Sequence, residues 1–162
     1  MYSITKNCVA LDPKLYTIDE ANQTFASEEN GLVIDVTDDD CWFFKIGDSC
    51  TITTGDHCTI NTYSGCNITA GERCTINTSH GCNITTGDKA VVVTYGDSTI
   101  TGGENCVLIR HYTSEVIKLV AGQTIKLNDH MTEGYTIVEP IETTKEFNKR
   151  IVNHLENLKP IN

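Results

Sequence analysis

Residues 55–88 read GDHCTINTYSGCNITAGERCTINTSHGCNITTGD, with cysteine at Cys58, Cys66, Cys74 and Cys82 and isoleucine at Ile60, Ile68, Ile76 and Ile84. Each isoleucine follows its cysteine by two positions, and the pair returns every eight residues. Side chains two apart on a strand share a face, whereas helical faces recur at three and four. In octads from Gly31, the fourth slot reads Ile34, Trp42, Cys50, Cys58, Cys66, Cys74, Cys82, Ala90, Ser98 and Cys106. The sixth slot reads Val36, Phe44, Ile52, Ile60, Ile68, Ile76, Ile84, Val92, Ile100 and Leu108. It is apolar throughout, so the register runs from 31 to 110. The Thr and Asn between and after these slots point outward. Gly with an acid, or a short YSG or SHG, punctuates each octad as a turn.

A longer period sits on the first. GDHCTINT (from 55), GERCTINT (from 71) and GDKAVVVT (from 87) alternate with YSGCNITA (from 63), SHGCNITT (from 79) and YGDSTITG (from 95). The unit is therefore 16 residues, two strands per coil. One coil cannot bury its inner side chains, but a stack can. The expected fold is all-β with a C-terminal helix: a two-faced parallel β-solenoid of about five 16-residue coils with N- and C-terminal caps. At ~4.8 Å per rung it is about 24 Å long. The chain divides into an N-terminal cap (1–30), the solenoid (31–110), a β-rich C-terminal cap (111–140) and an amphipathic C-terminal helix (141–162). The first cap should hold short strands and a helical turn near 19–25. The second should hold strands over 115–120, 123–127 and 135–139. In the helix, Thr143 with Glu146 fits a capping box, and Phe147, Ile151, Val152, Leu155 and Leu158 form one apolar stripe.

The eight cysteines are expected as reduced thiols, because the start of the chain lacks the pattern of a signal peptide. Disulfides and metal ligation are the alternatives. Ala90 and Ser98 stand in the cysteine slot, which points to volume as what the slot specifies.

The two outer faces differ. One presents Thr37, Thr51, Thr53, Asn67, Thr69, Asn83, Thr85, Thr99 and Thr101, a flat polar array that is the candidate binding face. A Thr or Asn ladder of this kind also stabilises stacked coils by itself. The other face ends in Val91, Val93, Val107 and Ile109. These apolar side chains should be covered, by the chain after 111 or by a partner subunit. The stripe of Phe147, Ile151, Val152, Leu155 and Leu158 is the other candidate for cap or oligomer contacts. Asp38, Asp39 and Asp40 form an acidic patch, read as a solvated corner.

The net charge of −10 disfavours nucleic acid as a direct ligand. Residues 1–46 hold nine acids and three bases, while the repeat at 47–102 holds five and two. The repeat is therefore a poor mimic of a phosphate rail. No apolar run approaches the ~18 residues of a membrane helix. The expectation is a cytoplasmic protein with no cofactor, no metal and no catalytic constellation. His57 and His80 fall at corners, without a flanking nucleophile and orienting acid.

The octads GDHCTINT, GERCTINT and YSGCNITA resemble the Gly-x-x-Cys-Thr-(Phe/Ile)-x-Thr arrays of uncharacterised bacteriophage and bacterial solenoid proteins. The tail NCVLIRHYTSEVIKLVAGQTIKLNDHMTEGYTIVE looks like the closing segment such arrays carry. YGDSTITGG is also similar to the 16-residue coils of ice-nucleation proteins. The resemblance implies a solenoid and, by analogy, a phage-encoded inhibitor or modulator of a host protein, defence proteins included. The expected state is a homo-oligomer held through the C-terminal segment. An ice-binding wall and a structural part of a viral particle are the alternatives.

Overall fold

The computed structural model describes residues 2–37 and 41–138. It begins with β1 (Ser3–Lys6), β2 (Val9–Ala10), a 3-10 turn (Pro13–Leu15), β3 (Thr17–Asp19) and β4 (Thr24–Ser27). The repeat supplies β5 (Leu32–Val36), β6 (Phe43–Ile46), β7 (Thr51–Thr54), β8 (Thr59–Thr62), β9 (Asn67–Ala70), β10 (Thr75–Thr78), β11 (Cys82–Thr86), β12 (Val91–Thr94), β13 (Ser98–Thr101) and β14 (Val107–Arg110). Then come β15 (Glu115–Lys118), β16 (Thr124–Leu127) and β17 (Tyr135–Val138). One sheet, A, is ordered β17-β16-β13-β11-β9-β7-β5-β1-β2, and the other, B, is ordered β15-β14-β12-β10-β8-β6-β4-β3. From β4 to β14, each strand pairs in parallel with the strand two places on. The fold is a two-sheet parallel β-solenoid of about five coils. The expected C-terminal helix lies outside the described residues.

Most repeat strands send three side chains into the lumen. Cys58, Ile60 and Thr62 are buried together, as are Cys82, Ile84 and Thr86. The outward reading of threonine therefore holds for Thr59 and Thr75 but fails for Thr54, Thr62, Thr78, Thr86 and Thr94, all buried. The period of two simply continues past the isoleucine. Several of these hydroxyls tie the strand end to the corner of the preceding coil. Thr62 Oγ1 donates to the Gly47 carbonyl at 3.0 Å, and Thr94 Oγ1 to the Ser79 carbonyl at 2.7 Å.

All eight cysteines are free thiols. Those in the lumen do more than fill volume. The Cys50 N–H donates to Cys66 Sγ at 3.3 Å, and the Cys58 N–H to Cys74 Sγ at 3.3 Å. The Cys82 N–H donates to Ser98 Oγ at 3.3 Å, so serine substitutes by keeping the acceptor. Hydrogen bonding to Cys66 and burial push the Cys50 and Cys82 thiols up, and Cys58 with burial does the same to Cys74. Cys66 itself has Cys50, Cys82 and Thr62 as hydrogen-bond partners that favour its ionised form. Desolvation in the closed lumen opposes a thiolate there.

The first coil departs from the octad register. Ile34 pairs with Ile52, and Asp35 with Thr53. Strict octads would set Ile34 beside Cys50 and Thr37 beside Thr53. The corner after β5 carries two extra residues and shifts the strand by two. Thr37 consequently lies beyond the strand, where its Oγ1 contacts Asp35 Oδ1 at 2.5 Å.

The caps are antiparallel. β1 runs along β5 and β3 along β4, and β4 is already a parallel rung on β6. The stack thus starts inside the segment expected to be only a cap. A turn into β4 replaces the helical turn expected near 19–25, because Thr24–Ser27 alternates in the strand manner. Aromatics fill this end of the lumen: Phe25 lies 6.2 Å from Phe44, and Trp42 lies 6.0 Å from Phe44. At the far end β15 pairs antiparallel with β14, β16 with β13 and β17 with β16. These are the three strands expected of the C-terminal cap. They extend the sheet edges and seal the lumen with Ile117, Leu119, Ile125 and Leu127. The expectation that the chain after 111 covers the valine face is not met by the described part of it.

Arg110 organises this end. It occupies the inward column of Thr62, Thr78 and Thr94, and it is buried. Its Nη1 lies 3.1 Å from Glu115 Oε2 and donates to the Thr132 carbonyl at 2.7 Å. Its Nη2 donates to the Asn128 and Asp129 carbonyls at 3.1 and 3.0 Å. Glu115 Oε2 also accepts from the Gly134 N–H at 3.1 Å. One guanidinium thereby shapes the loop between β16 and β17.

Candidate functional site

The two series of corners are built differently. Those leaving sheet A read Gly55-Asp56-His57, Gly71-Glu72-Arg73, Gly87-Asp88-Lys89 and Gly103-Glu104-Asn105. The third residue of each is left-handed, with φ of 59°, 55°, 57° and 59°. Asp56 and Asp88 each accept, through Oδ1, the N–H of the acid one coil on, at 2.7 Å. A Cβ on Gly71 would stand 2.8 Å from the Gly55 carbonyl carbon. Close backbone approach and one repeated hydrogen bond therefore dictate the residues along this edge.

The corners leaving sheet B repeat far less regularly. They read Gly47-Asp48, Tyr63-Ser64-Gly65, Ser79-His80-Gly81, Tyr95-Gly96-Asp97 and His111-Tyr112. Tyr63, Ser79 and Tyr95 stack through their backbones: the Ser79 N–H donates to the Tyr63 carbonyl at 3.2 Å, and the Tyr95 N–H to the Ser79 carbonyl at 3.1 Å. The rings continue upward. Tyr95 and His111 lie 4.4 Å apart and 25° from parallel, and Tyr112 stands edge-on to both. His130, from the loop held by Arg110, meets Tyr112 at 6.2 Å.

A hollow of about 680 Å³ runs along this edge, lined by Tyr63, Asn77, Thr78, Ser79, His80, Tyr95, Asp97, Tyr112, Asp129 and His130. A second, of about 730 Å³, lies towards the N-terminal cap and shares Tyr63 as its border. His80 Nδ1 lies 3.3 Å from Ser64 Oγ and 3.2 Å from Ser79 Oγ. Two hydroxyls at one ring nitrogen orient the ring. Gly96 is bare for a reason: a Cβ there would fall 2.6 Å from that of His80 and 3.6 Å from that of His130. The His130 N–H and ring hold the Asp129 carboxyl below the usual carboxylate range.

The residues expected from the sequence fall as follows. Thr51, Thr53, Asn67, Thr69, Asn83, Thr85, Thr99 and Thr101 share the outer face of sheet A in two columns. Thr37 does not join them. Asn83 Nδ2 donates to Asn67 Oδ1 at 3.0 Å, and Asn77 Nδ2 to Asn61 Oδ1 at 2.7 Å on the opposite face. These asparagines are engaged with each other as amide ladders. Val91, Val93, Val107 and Ile109 adjoin on the outer face of sheet B, half-buried, and Ile109 is flanked by the exposed Val116. Asp38, Asp39, Asp40, Phe147, Ile151, Val152, Leu155 and Leu158 lie outside the described residues. The corner aromatics escape a sequence reading that treats YSG and SHG only as turns. Their signal is the return of tyrosine at Tyr63 and Tyr95, two coils apart.

The chain matches no family model, no curated protein and no solved structure. Among the described residues, no group of three His, Cys, Asp or Glu side chains is arranged to hold a metal ion. No helix among them is long and apolar enough to cross a membrane.

Proposed function

We propose that the protein is a non-enzymatic protein-binding module that engages its partner along the corner groove. The difference between the two edges carries this reading. The edge leaving sheet A uses one repeated turn for its own backbone. The edge leaving sheet B breaks the repeat with exposed tyrosines, histidines and carboxylates around a hollow. Tyrosine is enriched where proteins meet because it offers rigid area with a polar tip. The repeat resemblance adds the source of the partner: a host protein inhibited or modulated by a phage product. A photo-crosslinking residue at position 112, in the exposed lining of the hollow, should capture a discrete protein from bacterial extract, and the same residue at position 89, on the other edge, should not. Equal capture at both positions, or none, overturns the proposal.

The threonine column favours a second reading, an ice-binding wall. Thr53, Thr69, Thr85 and Thr101 stand in register on successive coils, and Thr101 Oγ1 lies 2.7 Å from Thr124 Oγ1 beyond them. Thermal hysteresis that Thr69→Tyr abolishes would support it, and none in the native protein removes it. Self-association is proposed through the valine face of sheet B. Val93→Asp should then convert an oligomer to a monomer in sedimentation, and a monomeric native protein ends that idea.

A further inference from the structure

The ring column on the groove edge has one vacant rung. Tyr63, Ser79 and Tyr95 occupy the same corner position on three successive coils. Rungs are ~4.8 Å apart, so the two tyrosine positions are roughly 9–10 Å apart, with Ser79 on the rung between them and the His80 ring hydrogen-bonded beside it. Where the column is filled, as at Tyr95 and His111, rings stack along the solenoid at 4.4 Å. A flat group entering at the Ser79 rung would sit one rung, ~4.8 Å, from the corner position of either tyrosine, within the ~6 Å reach of a cation to an aromatic ring. Both tyrosines are open to solvent, at 57% and 39% exposure.

The charge of the hollow selects among flat groups. Asp97 and Asp129 line it together with His80 and His130, the last 3.4 Å from Asp129, and none of its lining residues is lysine or arginine. The N–H of His130 donates to Asp129 Oδ1 at 3.0 Å and favours its charged form. The chain as a whole carries −10. A planar cation meets aromatic faces and carboxylates together, and among side chains the guanidinium is the planar, permanently charged one.

We propose that the vacant rung binds an arginine side chain of the protein partner, its guanidinium lying between Tyr63 and Tyr95 with Asp97 and Asp129 as counter-charges. This rests on the protein-binding reading and names the chemistry of the partner residue. The probe is the peptide acetyl-Gly-Arg-Gly-amide, titrated into the ¹⁵N-labelled full chain and followed by NMR. Shifts should concentrate at Tyr63, Ser79, Tyr95 and Asp97. The citrulline peptide, flat but neutral, should bind about tenfold more weakly, and the lysine peptide should also lose affinity. Ser79→Tyr completes the column with a residue it already accepts on both sides, and should abolish the shifts while leaving a single cooperative thermal unfolding transition. Asp97→Asn should weaken binding several-fold. Equal binding of arginine and citrulline peptides, or shifts that survive Ser79→Tyr, overturn the proposal. If crosslinking at position 112 captures a partner equally well in the Ser79→Tyr background, the arginine slot fails while the protein-binding reading stands. If that crosslinking captures nothing, the reading itself fails.

Discussion

At the scale of single residues, the least repetitive positions carry the most specific work. Arg110 is buried in a column otherwise held by threonine, and its guanidinium joins Glu115 to four carbonyls of the loop between β16 and β17. Arg110→Met leaves Glu115 and those carbonyls without the donor. We expect a loss of about 3–5 kcal/mol in urea unfolding, with fast amide exchange over residues 128–134. Arg110→Lys should not rescue it, because an ammonium lacks the planar fork. The loss should reach the groove, since the same loop supplies Asp129 and His130. The cysteines make a finer test. Cys66→Ala leaves the Cys50 N–H without its acceptor, whereas Cys66→Ser copies the arrangement at Ser98. Serine should therefore be the better replacement by about 1–2 kcal/mol in chemical denaturation.

At the scale of elements, alternation and spacing sufficed to read ten strands, two sheets and the coil length. The slip in the first coil was not legible, for a physical reason. A shift of two residues keeps every side chain on its own face, so Ile34 and Val36 fit either register equally well. Only the length of the corner after β5 distinguishes them. Arg110 was hidden because a charged residue at a strand end reads as an exit to solvent. The groove was hidden because corner residues look interchangeable until their backbones are stacked. The left-handed corners are tested by substitution at Lys89, where φ is 57°. A β-branched side chain is disfavoured there, and Lys89→Val should cost about 1–2 kcal/mol relative to Lys89→Gly in thermal unfolding.

At the scale of the whole molecule, burial sorts the thiols. Cys8 and Cys41 are exposed, and the other six are buried. A thiol reagent should modify two of the eight cysteines rapidly in the native protein and the remainder only on unfolding. Rapid reaction of six or more would mean that the lumen opens readily. The two ends of the stack are closed by strands that reverse direction, which withholds a parallel edge from further rungs. Between those ends the edges divide the labour. The Gly-acid edge repeats one turn from coil to coil, whereas the tyrosine edge keeps its register through its backbone ladder and lets its side chains differ. Substitutions on it alter what the surface displays without rewriting the instructions for folding. The molecule is in this sense a ruled page, with one margin bound and the other open to inscription, and new specificities could be written on it one line at a time.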